Sequence, residues 1–269
     1  MQRISISHLA WKPQEDLEAL QLLESSGIKY IEISPYRSWA NLLSANESGL
    51  SYPDSLRKGN ITIQAIQSLL YNQPELTIFT SKISREATAR HLERMIDLAA
   101  RLGIKVLVFG SPRNKLIGEM DISDAKKIAI DFFGNLAKRA AAKNIYFCLE
   151  PTPKEYGADF ITTHGEVLEL IKLIGSPGLK LNLDLGAARI NNENCLDLIH
   201  SNLNDIGHIH ISEPFLKSII LDIDFHTRVA KTLTDLRYTN GISIEQLALE
   251  SPNLNIIKDV LSFVKKIYG

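Results

Sequence analysis

The chain has 269 residues, of which 45% are hydrophobic and 23% charged, and its formal net charge is −1. This balance is typical of a globular protein with a sizeable core and excludes a disordered polyelectrolyte. The near-neutral charge excludes an extended basic surface, so we expect no nucleic-acid partner. No apolar run reaches the ~18 residues of a membrane span, and the N-terminus lacks a long apolar segment, which predicts a cytoplasmic protein without a membrane partner.

The first half of the chain alternates short apolar runs with helical patterns. Strands are predicted at 3–9, 29–34, 61–68 and 105–110. A helix over 13–26 ends at Gly27, and a second begins at an N-cap Ser84 and ends at Gly103. A third helix is predicted over 122–143. The Pro-, Ser- and Asn-rich stretch after the second strand predicts a long loop over one face.

The second half continues the same alternation. Its strands are read from four runs, IYFCLE, LKLNLD, GHIHIS and GISIEQ. Thr163 and Glu166 have the spacing of a capping box for a helix at 164–175, and helices follow near 194–203 and 225–238. Ser251 and Pro252 predict the start of the last helix. Strands recurring every ~30 residues predict an α/β fold, a (β/α)8 TIM barrel that forms one domain over 1–269. A doubly wound open sheet is the main alternative, but no Gly-rich phosphate motif follows the first strand.

Four polar residues lie at the C-terminal ends of the last four strands: Glu150, Asp184, His210 and Glu245. Each alone also has a purely structural interpretation, as a rim carboxylate, a helix-entry or turn residue, or a core histidine. In a parallel barrel, however, these strand ends converge on one face. Three carboxylates and an imidazole together predict a site for a divalent ion.

Such a site suggests a reaction. A divalent ion that binds the carbonyl and neighbouring hydroxyl of a sugar acidifies the hydrogen on the adjacent carbon. Removal of that hydrogen gives an enediolate, and returning it to the same or the neighbouring carbon epimerises or isomerises the sugar. Glu150 and Glu245 belong to the fifth and eighth strands, well separated around the ring, which suits two proton-transfer groups on opposite sides of a substrate.

The order of these motifs resembles the xylose isomerase-like TIM-barrel superfamily. The resemblance rests on LE at 149–150, LNLDLG at 181–186, HIHISEP at 208–214 and SIE at 243–245, with VFGSPRN at 108–114 and EPTPKEYGADFI at 150–161. More narrowly, the chain looks like the sugar phosphate isomerase/epimerase group. The resemblance implies that Glu150, Asp184, His210 and Glu245 bind manganese, magnesium, cobalt or zinc, and that Glu150 and Glu245 act as acid and base. It also implies a small carbohydrate substrate and a possible homo-oligomer.

Two departures from this group concern the substrate. Ketose 3-epimerases have a histidine where this chain has Ala187, and an arginine after the seventh strand where the nearest cation is Lys217. Substrate contacts are therefore expected to differ. The candidates are His8, Arg113, Asn114, Glu213, Lys217 and His226, where Arg113 would bind a phosphate or carboxylate. For Glu213, Lys217 and His226, surface or helix-packing roles are equal alternatives.

Three other functions remain open at this point. A dehydratase of the inosose or dehydroshikimate type would use the same ion and enolate but expel a hydroxyl group. An endonuclease IV-like repair enzyme would need a three-metal cluster, which seven histidines and a charge of −1 do not favour. A barrel that had lost catalysis would serve as a binding protein.

Overall fold

Eight parallel strands, hydrogen-bonded in sequence order, close into a barrel. The computed structural model describes residues 3–37, 56, 60–219, 222–248 and 253–269. The strands are β1 Ile4–Ser7, β2 Tyr30–Ile33, β3 Thr62–Ile66, β4 Val106–Phe109, β5 Tyr146–Leu149, β6 Leu179–Asp184, β7 Ile206–Ile211 and β8 Ile242–Ile244. This confirms the predicted TIM barrel and excludes the open doubly wound sheet, although most strands are shorter than the apolar runs that predicted them.

Helices follow the strands within the described ranges. They are α1 Asp16–Ser25, α2 Lys82–Leu102, α3 Ile122–Ala142, α4 His164–Ile174, α5 Leu185–Ile190, α6 Cys195–Asn202, α7 Ile223–Asp235 and α8 Asn253–Tyr268. Among the residues described, no helix is both long and apolar enough to span a bilayer. The predicted start of α8 at Ser251 and Pro252 lies outside the described residues, as does most of the predicted loop after β2.

The chain forms two compact units. One contains residues 1–64 and 183–269, and the other contains residues 65–182. In the first unit β1 pairs with β2 and β8, and β8 pairs with β7, with His210 opposite Ser243. In the second unit β4 pairs with β5, and β5 with β6. A single domain over 1–269 stays a prediction.

The ends of two helices follow the predicted capping chemistry, whereas one N-cap prediction was wrong. Thr163 and Glu166 form the capping box of α4, and Gly103 ends α2 at a φ of 71°. The N-cap of α2 is Ser81 rather than Ser84. The helix begins at Lys82, about one turn before the start that its apolar face predicted. Ser84 therefore lies within the first turn, and its hydroxyl donates to the carbonyl of Glu75.

The strands are buried because apolar side chains cover them. All four residues of β1 and β4 and all six of β7 are buried. The two cysteines, Cys148 and Cys195, are also buried, and both are free thiols. The polar side chains at the strand ends are thus set in an apolar frame that fixes their positions.

Candidate metal centre

Asp184 ends β6 and simultaneously begins α5. One carboxylate oxygen accepts the backbone N–H of Ala187, which makes Asp184 the N-cap of this short helix. The other accepts the hydroxyl of Ser212 at 2.9 Å, and that hydroxyl also accepts the N–H of Gly186 at 2.8 Å. These contacts hold the Asp184 side chain in one orientation. The residue is buried, with 6% of its surface exposed.

His210 lies on β7 with its ring between carboxylates. Its Nδ1 is 3.0 Å from Oε2 of Glu245 and 3.7 Å from Oδ2 of Asp184. Glu245 follows β8 directly, and its backbone N–H donates to Ile211, which fixes the two strand ends in register. The side chains of His210, Asp184 and Glu245 therefore lie together, and each is at most 8% exposed.

Glu150 follows β5, and it contacts a residue of β6 and a residue of the segment that follows β4. Oε2 accepts a hydrogen bond of 2.6 Å from Nδ2 of Asn182, which lies on β6. The backbone carbonyl of Glu150 accepts from Nζ of Lys115 at 3.1 Å, and the same amine donates to Thr152 at 2.9 Å. Burial lowers the pKa of Lys115 to about 7, against the opposing effect of the Glu150 and Glu166 carboxylates. These contacts anchor the loop that carries Glu150.

Glu32 is a buried acid that the sequence analysis missed. It lies on β2 with no solvent exposure, with Oε1 3.2 Å from Nε2 of His210 and Oε2 3.5 Å from Nε2 of His208. Burial raises the pKa of Glu32, but the two imidazoles outweigh burial and hold it below its ordinary value. The signal was present in KYIEIS, because an acid inside an apolar strand requires a partner.

Two candidate substrate residues are buried and hydrogen-bonded within the protein. His8, just after β1, accepts the backbone N–H of Ser34 on Nε2 at 2.7 Å. Burial and the charge of Arg37 lower the pKa of His8 to about 3, so the ring is neutral. Asn114 donates to the carbonyls of Leu76 and Gln73 at 2.7 and 2.9 Å. These contacts account for both side chains as loop anchors.

The remaining candidates fall into two kinds. Arg113 and Lys217 are exposed. Glu213 and His226 are instead buried in one network, in which Glu213 contacts Nε2 of His226 at 3.1 Å and Arg189 at 2.6 Å. The other ring nitrogen, Nδ1, lies 3.0 Å from the hydroxyl of Tyr268. This network ties the loop after β7 to α7 and α8.

Comparisons with known proteins agree with this architecture. A family model described as the xylose isomerase-like TIM barrel matches residues 9–267. Among solved structures, a 3-keto-D-glucoside 4-epimerase from E. coli has a TM-score of 0.83 at 17% identity, covering 99% of this chain and 100% of that one. A D-psicose 3-epimerase from Clostridium cellulolyticum H10 has a TM-score of 0.80 at 14% identity, with 100% and 99% coverage. An L-ribulose 3-epimerase has a TM-score of 0.80 at 19% identity, with 100% and 95% coverage. No curated protein matches the chain.

Proposed function

Because the chain belongs to the xylose isomerase-like TIM-barrel family, we propose that it is a divalent-metal-dependent isomerase or epimerase of a sugar or sugar phosphate. The observation that carries this proposal is the convergence of Asp184 and Glu245 on Nδ1 of His210. Buried carboxylates gathered around one imidazole are costly without a cation and are the donors that Mg²⁺, Mn²⁺, Co²⁺ or Zn²⁺ bind in proteins.

Glu150 is the proposed fourth ligand. It follows β5, just as Asp184 ends β6, His210 lies near the end of β7 and Glu245 follows β8. Its carboxylate is also bonded to Asn182, which is two residues before Asp184 on β6. Residues two apart point to the same face of a strand, so the Asn182 bond turns Glu150 toward the face that carries Asp184. The donor set of three carboxylates and one imidazole thus fits a divalent ion.

Glu150 and Glu245 are also the proposed proton-transfer groups. A bound divalent ion would supply the polarisation of a substrate carbonyl and its neighbouring hydroxyl. One carboxylate takes the proton from the carbon beside the carbonyl, and the second returns a proton from the opposite side. Return to the same carbon gives the epimer, and return to the adjacent carbon gives the aldose–ketose isomer. The two residues follow β5 and β8, which lie three strands apart in the barrel order.

The class of substrate is proposed from the solved structures named above, whose printed activities are all epimerisations of sugars. Arg113 and Lys217 are the candidates for contacts with an anionic substituent, since both are exposed cations on loops that follow β4 and β7. The protein contacts of His8, Asn114, Glu213 and His226 favour a role in holding those loops. A sugar phosphate is therefore the first substrate to test.

Solvent exchange measures this function directly. The metal-depleted protein, reloaded with Mn²⁺, Mg²⁺, Co²⁺ or Zn²⁺, is incubated in D2O with ketoses and their phosphates and followed by NMR. We expect deuterium at the carbon beside the carbonyl with no loss of water, and metal dependence of the rate. An enone absorbance would instead identify the dehydratase, and activity that persists without metal would contradict the proposal.

The proton-transfer roles are tested by two variants and one control. Glu150→Gln and Glu245→Gln should each abolish exchange, because an amide neither accepts nor returns the proton. Glu155→Gln, at an exposed acid on the same loop as Glu150, should leave the exchange rate unchanged. Near-normal rates in either of the first two variants would remove that residue from the mechanism.

A further inference from the structure

Glu32, His208 and His210 form a buried group beneath the candidate metal centre. None of the three is more than 1% exposed. Glu32 contacts the edge of the His210 ring that points away from Asp184 and Glu245. Its carboxylate is next to Nε2, whereas the carboxylates of Asp184 and Glu245 are next to Nδ1. The three residues come from β2 and β7, and Glu32 and His210 are 178 positions apart in sequence. The contact therefore depends on closure of the barrel.

The contact with Glu32 stabilises a proton on Nε2 of His210. Both ring nitrogens of His210 face carboxylates, Nε2 facing Oε1 of Glu32 at 3.2 Å and Nδ1 facing Oε2 of Glu245 at 3.0 Å. A carboxylate only accepts hydrogen bonds, so an N–H on Nε2 donates to Glu32, whereas the side of Nδ1 is the one that an ion would occupy. A neutral imidazole has one N–H, and placing it on Nε2 leaves the lone pair on Nδ1. That lone pair is directed between Asp184 and Glu245, toward the proposed position of the ion.

His208 restrains the same ring from the side. Its ring centroid is 5.4 Å from that of His210, and the two planes meet at 84° in an edge-to-face contact. Nε2 of His208 also lies 3.5 Å from Oε2 of Glu32. His208 therefore acts on His210 by packing, while Glu32 acts by accepting its proton.

We propose that Glu32 is a positioning residue, which fixes the His210 ring with Nε2 protonated and Nδ1 available as a ligand. This inference rests on the proposed metal site, but it concerns a residue outside the predicted ligand set. A carboxylate behind a ligating histidine typically changes metal affinity by about 10- to 100-fold. Glu32 is thus expected to control how tightly the protein binds its ion, without touching substrate.

The first test uses metal-free protein. Long-range ¹H–¹⁵N NMR of the histidine rings, assigned with a His210→Asn variant, reports which nitrogen of His210 is protonated. We expect protonation at Nε2 in the wild type and a loss of this preference in Glu32→Leu, with partial return in Glu32→Asp. An Nδ1-protonated neutral ring in the wild type, or an unchanged spectrum in Glu32→Leu, would overturn the inference whether or not the protein is an enzyme.

The second test measures binding of Co²⁺ by titration calorimetry. We expect one ion per chain, with affinity about 10- to 100-fold weaker in Glu32→Gln than in the wild type. Thr88→Val removes a buried hydroxyl on α2 and serves as the control for lost stability, with unchanged affinity expected. Two ions per wild-type chain and one per Glu32→Gln chain would make Glu32 a ligand of a second ion and overturn its positioning role.

The two proposals fail in different ways. Wild-type protein that binds no Co²⁺ contradicts the proposed function and, with it, the consequence drawn for Glu32. Wild-type protein that binds Co²⁺ with an affinity equal to that of Glu32→Gln leaves the proposed function standing and overturns only the positioning role. The folded state of each variant is verified by thermal unfolding, and Glu32→Asp, which keeps the carboxylate, is used if Glu32→Gln does not fold.

Discussion

A Cβ atom placed on Gly110 would lie 2.5 Å from Oε1 of Glu150 and 2.9 Å from its Cδ. Gly110 follows β4, and Glu150 follows the neighbouring strand β5. Non-bonded carbon and oxygen atoms do not approach so closely, so a side chain at position 110 would displace the Glu150 carboxylate. The missing side chain at Gly110 therefore provides the space for a proposed ligand.

Gly110→Ala should impair catalysis while the barrel still folds. The carboxylate of Glu150 is the far end of a flexible side chain, so it moves instead of the backbone, and a misplacement of about 1 Å costs roughly 100-fold in rate. Metal-dependent exchange by the purified variant measures this loss. Gly134→Ala is the matched control, since its new methyl would be 3.8 Å from Ile174. Equal activity of Gly110→Ala and wild type would show that Glu150 does not need its present position.

Asn182→Leu should also weaken the site. The variant keeps the approximate volume of the side chain but removes the 2.6 Å hydrogen bond that orients Glu150. Hydrogen bonds to charged groups contribute about 1.5–3 kcal/mol, so we expect a loss of about 10- to 100-fold in kcat/KM or in metal affinity. Asn240→Leu serves as the control, because it removes a side-chain hydrogen bond to the carbonyl of Ile206. A variant with wild-type kinetics and affinity would contradict an orienting role for Asn182.

Local patterns were sufficient to predict the strands, most helices and the acids at the strand ends. Each of these depends on residues close in sequence, such as the capping box of Thr163 and Glu166. The short helix α5 was missed because LGAARI is brief and contains glycine, although its N-cap is Asp184, which the sequence analysis had considered as a helix-entry or turn residue.

Long-range partners could not be predicted in the same way. Glu32 has no local feature that identifies His210 as its partner, since the hydrogen bond joins strands at opposite ends of the sequence. The network of Glu213, His226 and Tyr268 likewise depends on how two helices pack against the loop after β7. The substrate-binding residues were predicted from their positions alone. The structure shows that Arg113 is exposed to solvent whereas the neighbouring Asn114 is buried.

His8 should make the protein less stable in acid. Its pKa falls from 6.5 to about 3 in the folded protein, because burial and Arg37 disfavour the charged ring. Between these values the unfolded chain binds the proton and the folded chain does not, so stability falls as pH decreases from about 6.5 toward 3, by about 1.4 kcal/mol per pH unit. Urea unfolding of His8→Gln between about pH 4 and 7 should lack this contribution.

The control for His8 is His200→Gln, at an exposed histidine on α6. It should keep the pH dependence of the wild type, because it leaves the buried ring of His8 and its contacts in place. Parallel curves for His8→Gln and the wild type would mean that the folded protein tolerates a charged His8.

Glu213 and Tyr268 should be energetically coupled through His226. Tyr268→Phe removes the hydroxyl 3.0 Å from Nδ1 of His226, and Glu213→Gln changes the partner of Nε2. Contacts within one buried hydrogen-bond network typically show coupling energies of about 0.5–3 kcal/mol. A double-mutant cycle measured by urea unfolding should therefore give non-additive losses of stability. Additive losses, together with a raised KM for Glu213→Gln alone, would instead indicate that Glu213 binds the substrate, with its carboxylate contacting a hydroxyl group.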